Sequence, residues 1–403
     1  MSLFLDDHHV MMRDMVREFA EAEIAPVAAE LDESEAFPWE NAAKMAELGL
    51  FGIPFEEEYG GVGMDLLASV IASEELARVD ASHSILVGAN ISLASTPIHR
   101  WGTEEQKQRY LTPLAGGRVL GGFGLTEPNA GSDAGGTETT AVRKGDRYIL
   151  NGQKTWITHG GVGEIFVLAA STSPEKGSYG ISAFILTKET CDLEEATRLG
   201  FGHSDELEPM AGFTAGQKLR KLGWNASDTR ELILEDVEVP VENLLGEEDK
   251  GFRVFLDTLD GGRIGIAAHA LGIAQGAFEL AARYTGERKQ FGKKINEFQG
   301  VQFMLAEMAT SIHAARLMTY HAARLRMEGK PHKKEASMAK LFASEAAMDV
   351  TTKAVQLHGG YGYSREYAVE RMMRDAKITE IGEGTSEIQK IVISREVLKA
   401  FRE

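Results

Sequence analysis

Glu383 stands between Gly382 and Gly384 in the stretch RDAKITEIGEGTSEIQ, just ahead of a segment whose Ile388, Ile391 and Val392 mark the apolar face of a helix. Ser386 and Gln389 fit an S-x-x-Q capping box, which puts Glu383 in the turn before that helix. By local pattern alone such a carboxylate is a solvated loop residue. Withdrawn from water, its pKa would rise and it would become a useful proton acceptor. A second stretch with chemical potential runs from Gly121 to Gly161. Its first part gathers Thr126, Pro128, Asn129, Gly131 and Ser132 into a run whose backbone N–H groups cannot all belong to a regular ladder. Free N–H groups and hydroxyls of this kind suit an anionic pyrophosphate. Its second part is expected to turn at Asn151-Gly152 and then to set Lys154, Trp156 and Thr158 along one strand face, a large flat ring two residues from a hydroxyl. A hairpin with a core tryptophan would leave the same local trace.

These residues need a scaffold that changes character twice. Met12, Met15, Val16 and Phe19 recur at helical spacing until Pro26 breaks the run, and further helices are expected around Trp39 to Leu50, Leu66 to Val79 and Gly102 to Leu114. Residues 1–118 therefore read as an all-α domain. Over 119–240 the period shortens to two, with short apolar runs at Tyr148 to Leu150, Ile165 to Ala169, Ile181 to Leu186 and Leu232 to Leu234, the pattern of an antiparallel β domain. Residues 188–216 interrupt it with an acidic, glycine-containing stretch expected to be a peripheral exposed loop. Over 241–403 helical spacing returns. Ala267, Ala270, Leu271, Ala274, Phe278 and Ala281 form one stripe and Val301, Met304, Leu305, Met308, Ile312 and Ala315 another, as in a helical bundle. The expected fold class is α+β multidomain in the order α, β, α.

Composition narrows the function. Sixty-one acidic against 43 basic residues give a formal net charge of -18, which argues against nucleic acid or an anionic membrane as partner. An anionic ligand would have to find local positive groups. Cys191 is the single cysteine, so an intramolecular disulfide and a cysteine-based metal site are excluded. Asp6 and Asp7 stand where a signal or transit peptide would carry positive charge, and no apolar run reads as long enough to span a bilayer. A bacterial cytoplasm is expected, and a mitochondrial matrix protein after processing would look the same. The histidines, among them His8, His9 and His313, show no ligand spacing, and no metal is assigned. No GxSxG elbow, Walker loop or dinucleotide fingerprint occurs.

TEPNAGSD followed by NGQKTWIT closely resembles the flavin-binding signature of the acyl-CoA dehydrogenases, and RDAKITEIGEGTSEIQ matches the region where that family carries its catalytic base. FEEEYGGVGMD, GTEEQKQRYL, ERKQFGK and QLHGGYG follow the family in order and spacing over nearly the whole chain. The resemblance implies one FAD per subunit, an acyl-CoA substrate, an electron-transfer flavoprotein as partner and a homotetramer. It assigns Glu383 as the base that removes the proton next to the thioester carbonyl, while the β-carbon gives its hydride to flavin N5 and a trans-2-enoyl-CoA results. For the cofactor it implies Phe123, Leu125, Thr126, Ser132, Trp156, Ile157 and Thr158, with Arg288, Gln290, Phe291 and Gln299 reaching a neighbouring subunit's FAD. Gln356, Gly359 and Gly360 form another FAD-binding turn, and Thr385 and Glu387 touch the adenine end. For the substrate it implies Ser132, Asp260, Arg263 and Gly384. Some branches carry the base on the helix after the β domain; that position here is Gly262, which leaves Glu383 as the matching carboxylate. Gly382 departs from relatives that carry tyrosine and leaves room beside the base, which favours short or medium acyl chains. The rivals are an acyl-CoA oxidase, against which the length is expected to argue because the usual oxidase carries a further C-terminal domain, and a catalytically silent binding module, which retention of Glu383 disfavours.

Overall fold

The computed structural model describes residues 5–188 and 210–399 together with Phe401. In the N-terminal part, α1 (Asp7–Phe19) starts from an Asp6–His9 capping box, buries His9, Met12 and Val16, and runs on through a π turn, Ala20–Ile24, to stop at Ala25, one residue before Pro26. Next come α2 (Ala28–Ser34), α3 (Trp39–Glu47) and α4 (Leu66–Ala77), then α5 (Ala81–Ala89), which continues through a π turn into α6 (Thr96–Trp101). Two short pieces, α7 (Glu104–Gln106) and α8 (Thr112–Ala115), complete this part. The α5–α6 stretch escapes a periodicity search because α5 is buried on nearly every side, so no polar stripe marks it. Its sequence signal is the N-cap Asp80, whose carboxylate accepts the His83 N–H at 3.1 Å.

Among the described residues the sheet has eight strands in the order β6-β7-β3-β2-β4-β5-β8, with β1 beside β4. They are β1 (Gly121–Gly124), β2 (Thr140–Lys144), β3 (Arg147–Thr158), β4 (Ile165–Ser171), β5 (Ile181–Thr187), β6 (Phe213–Ala215), β7 (Thr229–Pro240) and β8 (Leu244–Leu245). Most pairs are antiparallel, but β1 joins β4 in parallel, so the sheet is mixed. The hairpin turn lies at Gly145-Asp146 rather than at Asn151-Gly152, which sits inside β3 at a register shift. There a Cβ on Gly152 would run into Thr139, and the Asn151 amide exchanges two hydrogen bonds with Asp236. Glycine therefore serves a close strand approach here, not a reversal. The expectation of a peripheral loop over 188–216 falls chiefly on residues 189–209, which lie outside the described ones. Within its remainder Phe213–Ala215 is an edge strand on β7, with Phe213 buried.

The C-terminal part consists of α9 (Gly251–Glu287), α10 (Gln299–Met327), α11 (Lys333–His358), α12 (Val369–Thr379) and α13 (Ser386–Lys399), with a small hairpin of β9 (Lys289–Gln290) and β10 (Lys293–Lys294) after α9. Helix α9 packs against α10, α11, α12 and α4, and its Ala267, Ala270, Leu271 and Ala274 are buried. Contrary to the sequence expectation, α9 is long and apolar enough to cross a membrane by length and composition, at mean hydropathy 1.3 over its most apolar window. Of that window 72% is buried within the protein, so its apolar face already has neighbours.

Candidate active site

Glu383 lies in the turn that joins α12 to α13. The Gly382 N–H closes back onto the Ile378 carbonyl at 2.8 Å, and the chain then takes two successive left-handed steps, Glu383 at φ 54 and Gly384 at φ 98. A glutamate held at positive φ is strained by about 1–2 kcal/mol, which persists only where the surroundings impose it. The cap of α13 is one residue earlier than the capping-box reading: the Thr385 hydroxyl accepts the Ile388 N–H at 3.4 Å, and Ser386 is the first helical residue. Gln389 turns its amide back instead, donating to the carbonyls of Gly384 at 2.8 Å and Glu383 at 3.3 Å.

The carboxylate points at α9. A Cβ built on Gly262 would fall within the Glu383 carboxylate, and one on Gly261 would strike the Arg326 guanidinium. The paired glycines neither start nor kink α9, which is continuous through them; they open two adjacent faces of it, one to a carboxylate and one to an arginine. Glu383 Oε2 is sealed from solvent and has no hydrogen-bond partner. Burial pushes the Glu383 carboxyl up to about 7, against the pull of Arg263 and Lys340. Ser386 Oγ, Gln389 Oε1 and Arg263 Nε are likewise buried without a partner, and the Glu383 and Gly384 N–H groups find no acceptor among the described residues. Unsatisfied groups concentrated in this way mark a place built for a polar ligand.

Asp260 and Arg263 lie beside this turn, joined at 2.6 Å. They are not the surface pair that their spacing suggests, since Arg263 is buried and the Asp260 carboxyl is raised by burial against the pull of Arg263. Sequence reasoning missed Lys340, which is fully buried on α11 and donates to the Gly384 carbonyl at 2.8 Å. Its signal was a lone lysine on the alanine stripe Ala336, Ala339, Ala343 and Ala347.

A second group is built by β1, the loop after it and the end of β3. Lys154 and Trp156 do not share a face: Lys154 is buried in an ion pair with Glu127 at 2.6 Å, whereas Trp156 is 61% exposed. A register shift between Lys154 and Ile157, with Trp156 at φ 62, breaks the alternation and turns the indole outward. Ile157 is buried and Thr158 half-buried. The loop is stapled to β3 by Glu127, which also accepts the Glu138 and Thr139 N–H groups, and by the Thr155 N–H to the Thr126 carbonyl at 2.9 Å. Among the described residues the Thr126, Gly131 and Ser132 N–H groups have no acceptor. Leu125 is buried, and Phe123 packs its ring on Phe255 of α9 at 4.9 Å, which ties this group to the helix that carries Gly262.

The third group surrounds a cavity of about 480 Å³ in which two separately predicted segments meet: Arg288 and Gln290 from one, Gln356, Gly359 and Gly360 from the other. Tyr284, stacked on His358 at 4.2 Å, and Tyr361, under the Arg288 guanidinium at 5.6 Å, complete it and were not foreseen. Gly359 has φ 62 and nothing near its Cβ position, so backbone and ligand can meet closely there. A guanidinium, two amides, aromatic rings and bare glycine backbone suit a phosphate-bearing dinucleotide such as FAD. Phe291, Gln299 and Glu387 do not line this cavity, and Phe291 is 93% exposed at the tip between β9 and β10. No residue of the first two groups lines it either.

One expectation about metals needs amending. Asp6, His8 and His9 bring ligand-type atoms within 4.8 Å of one another. Both nitrogens of His9 are, however, already engaged, one with the Asp6 N–H and one with Asp65, as a helix cap requires.

Three family models match in order: the acyl-CoA dehydrogenase N-terminal domain over residues 6–118, the middle domain over 122–237 and the C-terminal domain over 249–398. A curated relative from Clostridium acetobutylicum named acyl-CoA dehydrogenase, short-chain specific, is 53% identical over 389 residues, which is 96% of this chain and 97% of the relative. The solved butyryl-CoA dehydrogenase of Megasphaera elsdenii is 46% identical with a TM-score of 0.92, covering 99% of this chain and 100% of that one. A chain solved in work on the electron transferring flavoprotein of Acidaminococcus fermentans is 51% identical at the same TM-score of 0.92, again over 99% of this chain and 100% of that one.

Proposed function

Since the chain belongs to the acyl-CoA dehydrogenase family, we propose that it oxidises a short-chain saturated acyl-CoA to the trans-2-enoyl-CoA, with Glu383 taking the proton from the carbon next to the thioester carbonyl. The observation that carries this reading is the sealed, unpartnered Glu383 Oε2 with its carboxyl raised to about 7. A solvated carboxylate is too weak a base for such a carbon acid, and a fully buried one without counter-charge would not ionise. Glu383 lies between these limits because Arg263 and Lys340 offset part of the burial.

The N–H of Glu383, free of any acceptor in its turn, is the donor for the thioester oxygen as enolate character develops. Asp260 and Arg263 hold the pantetheine and substrate end, and Ser132 and Gly384 border the same ligand. Bare Gly262 leaves the α-carbon a path to the carboxylate. When bound, FAD supplies the acceptor for the hydride that leaves the β-carbon. Trp156, Thr158, Thr126 and Ser132 would hold its ring, with Phe123, Leu125 and Ile157 shaping the strand ends that carry them. Arg288, Gln290, Gln356, Gly359 and Gly360 would hold its nucleotide end; Phe291, Gln299, Thr385 and Glu387, which the resemblance adds, lie outside the lining of that cavity.

The cavity around Arg288 is read as serving the cofactor of a second copy within a homotetramer, as the family resemblance implies; its lining, separate from the first two groups, is compatible with that reading. The electron acceptor is an electron-transferring flavoprotein, a reading supported by the similarity to the Acidaminococcus chain. Anaerobic mixing of the yellow protein with butyryl-CoA tests the whole reading: bleaching of the flavin band with formation of the 2-enoyl thioester is expected. Intact colour with butyryl-CoA and with every other straight acyl-CoA up to sixteen carbons would overturn it.

A further inference from the structure

Lys340 is an ammonium buried on the alanine-lined face of α11, where only a strong reason keeps a charge. Among the described residues it hydrogen-bonds no carboxylate; its one partner is the Gly384 carbonyl at 2.8 Å. That carbonyl closes the two left-handed steps at Glu383 and Gly384 and also receives the Gln389 amide at 2.8 Å. Two donors from two helices thus converge on one backbone oxygen, in the peptide immediately after the one that carries Glu383. Either donor lost, the strained turn is free to relax toward ordinary φ values, and the carboxylate swings from the face of Gly262.

We propose, building on the assignment of Glu383 as the base, that Lys340 is its positioning residue: it locks the 383–384 turn through the Gly384 carbonyl and, together with Arg263, sets a positive charge against the carboxylate. The charges around the carboxyl support this division of labour. Arg263 of α9 is the other cation that faces Glu383, but it is already paired with Asp260. Burial pushes the Lys340 ammonium down to about 8, with Glu383 the foremost charge that holds it up, Arg263 opposing, and Glu380 at the end of α12 and Glu387 of α13 assisting more weakly. Lys340 is therefore the cation whose charge is least committed elsewhere, and Gln389 supplies the neutral half of the clamp.

The test separates the geometric from the electrostatic effect. The carboxyl stretch of Glu383, identified by its loss in Glu383→Gln, is followed by infrared difference spectroscopy across pH in the protein without acyl-CoA. Lys340→Met should move its midpoint upward by about 1 pH unit or more, whereas Lys340→Arg and Gln389→Ala should leave it near the wild-type value. In anaerobic bleaching by butyryl-CoA, Lys340→Met and Gln389→Ala should both slow by roughly ten- to a hundredfold, as displacement of a base by about 1 Å does, with flavin content retained. A midpoint and a rate within twofold of wild type in Lys340→Met would overturn the proposal. Should that variant not fold, an unchanged rate in Gln389→Ala, or a raised midpoint in Lys340→Arg, does the same. Rapid bleaching by Glu383→Gln would instead sink the assignment of the base itself, while slow bleaching there with unaffected Lys340 and Gln389 variants sinks this inference alone.

Discussion

Glu383→Gln is the most informative single change, because it should raise stability and abolish chemistry together. The carboxyl is lifted from an ordinary value of 4.5 to about 7, chiefly by burial, which corresponds to about 3 kcal/mol. The folded protein thus binds this proton more tightly than the unfolded chain. Below pH 4.5 the group is protonated in both states and costs nothing. Between 4.5 and 7 the unfolded chain ionises first, and folding is progressively disfavoured; above 7 the cost is constant. Glutamine has the same shape and no charge, so urea unfolding should give equal stability at pH 4 and a variant more stable by up to about 3 kcal/mol at pH 8. In the wild type, flavin bleaching by butyryl-CoA should quicken as pH rises through about 7 and then level off. In the variant it should be slower by roughly 100-fold to 10,000-fold, with no such rise. Bleaching within a few-fold of wild type would refute the assignment of the base, and an unchanged stability at pH 8 would refute the claim that its charge is held at a cost.

Three further outcomes can be checked. Trp156→Ala should weaken FAD retention several-fold, since losing an aromatic stacking contact removes about 1 kcal/mol; equilibrium dialysis measures this, and unchanged retention would place the ring elsewhere. Lys154→Met leaves the Glu127 carboxylate buried without its counter-charge, though still accepting the Glu138 and Thr139 N–H groups, so the melting temperature should fall with a loss of about 3–5 kcal/mol, and Glu127→Gln added to it should recover part; a neutral single variant would show that the pair does not staple the loop. Arg288→Ala should make FAD loss on dilution begin at higher protein concentration, because cofactor and assembly are linked by mass action; sedimentation showing a fully loaded monomer would end that argument.

Elements whose physics is local were legible in the sequence. The alanine stripe of α9 and the turn that carries Glu383 follow from spacing and from glycines flanking a helix start, and the structure has both where the pattern puts them. Features decided by long-range contact were not. Gly145-Asp146 and Asn151-Gly152 are equal turn signals in isolation, and the approach of Thr139 decides against the second. The outward indole of Trp156 depends on a bulge that strand alternation cannot anticipate. Lys340 and Gly384 are 44 positions apart, and the packing of α11 on the following turn creates their bond. Tyr284 and His358 meet only because α9 and α11 run side by side.

The fit of Gly262 to the Glu383 carboxylate makes these two positions a single heritable unit. Because a side chain at 262 would occupy the volume of the carboxylate, a lineage cannot move its acid from one helix to the other by independent small steps. Adding Glu at 262 first crowds two like charges into one dry space, each raising the other's pKa; removing Glu383 first leaves no acid at all. Either order crosses a generation with crippled chemistry, so the choice of helix should be frozen early and then inherited, however freely the surrounding apolar walls drift.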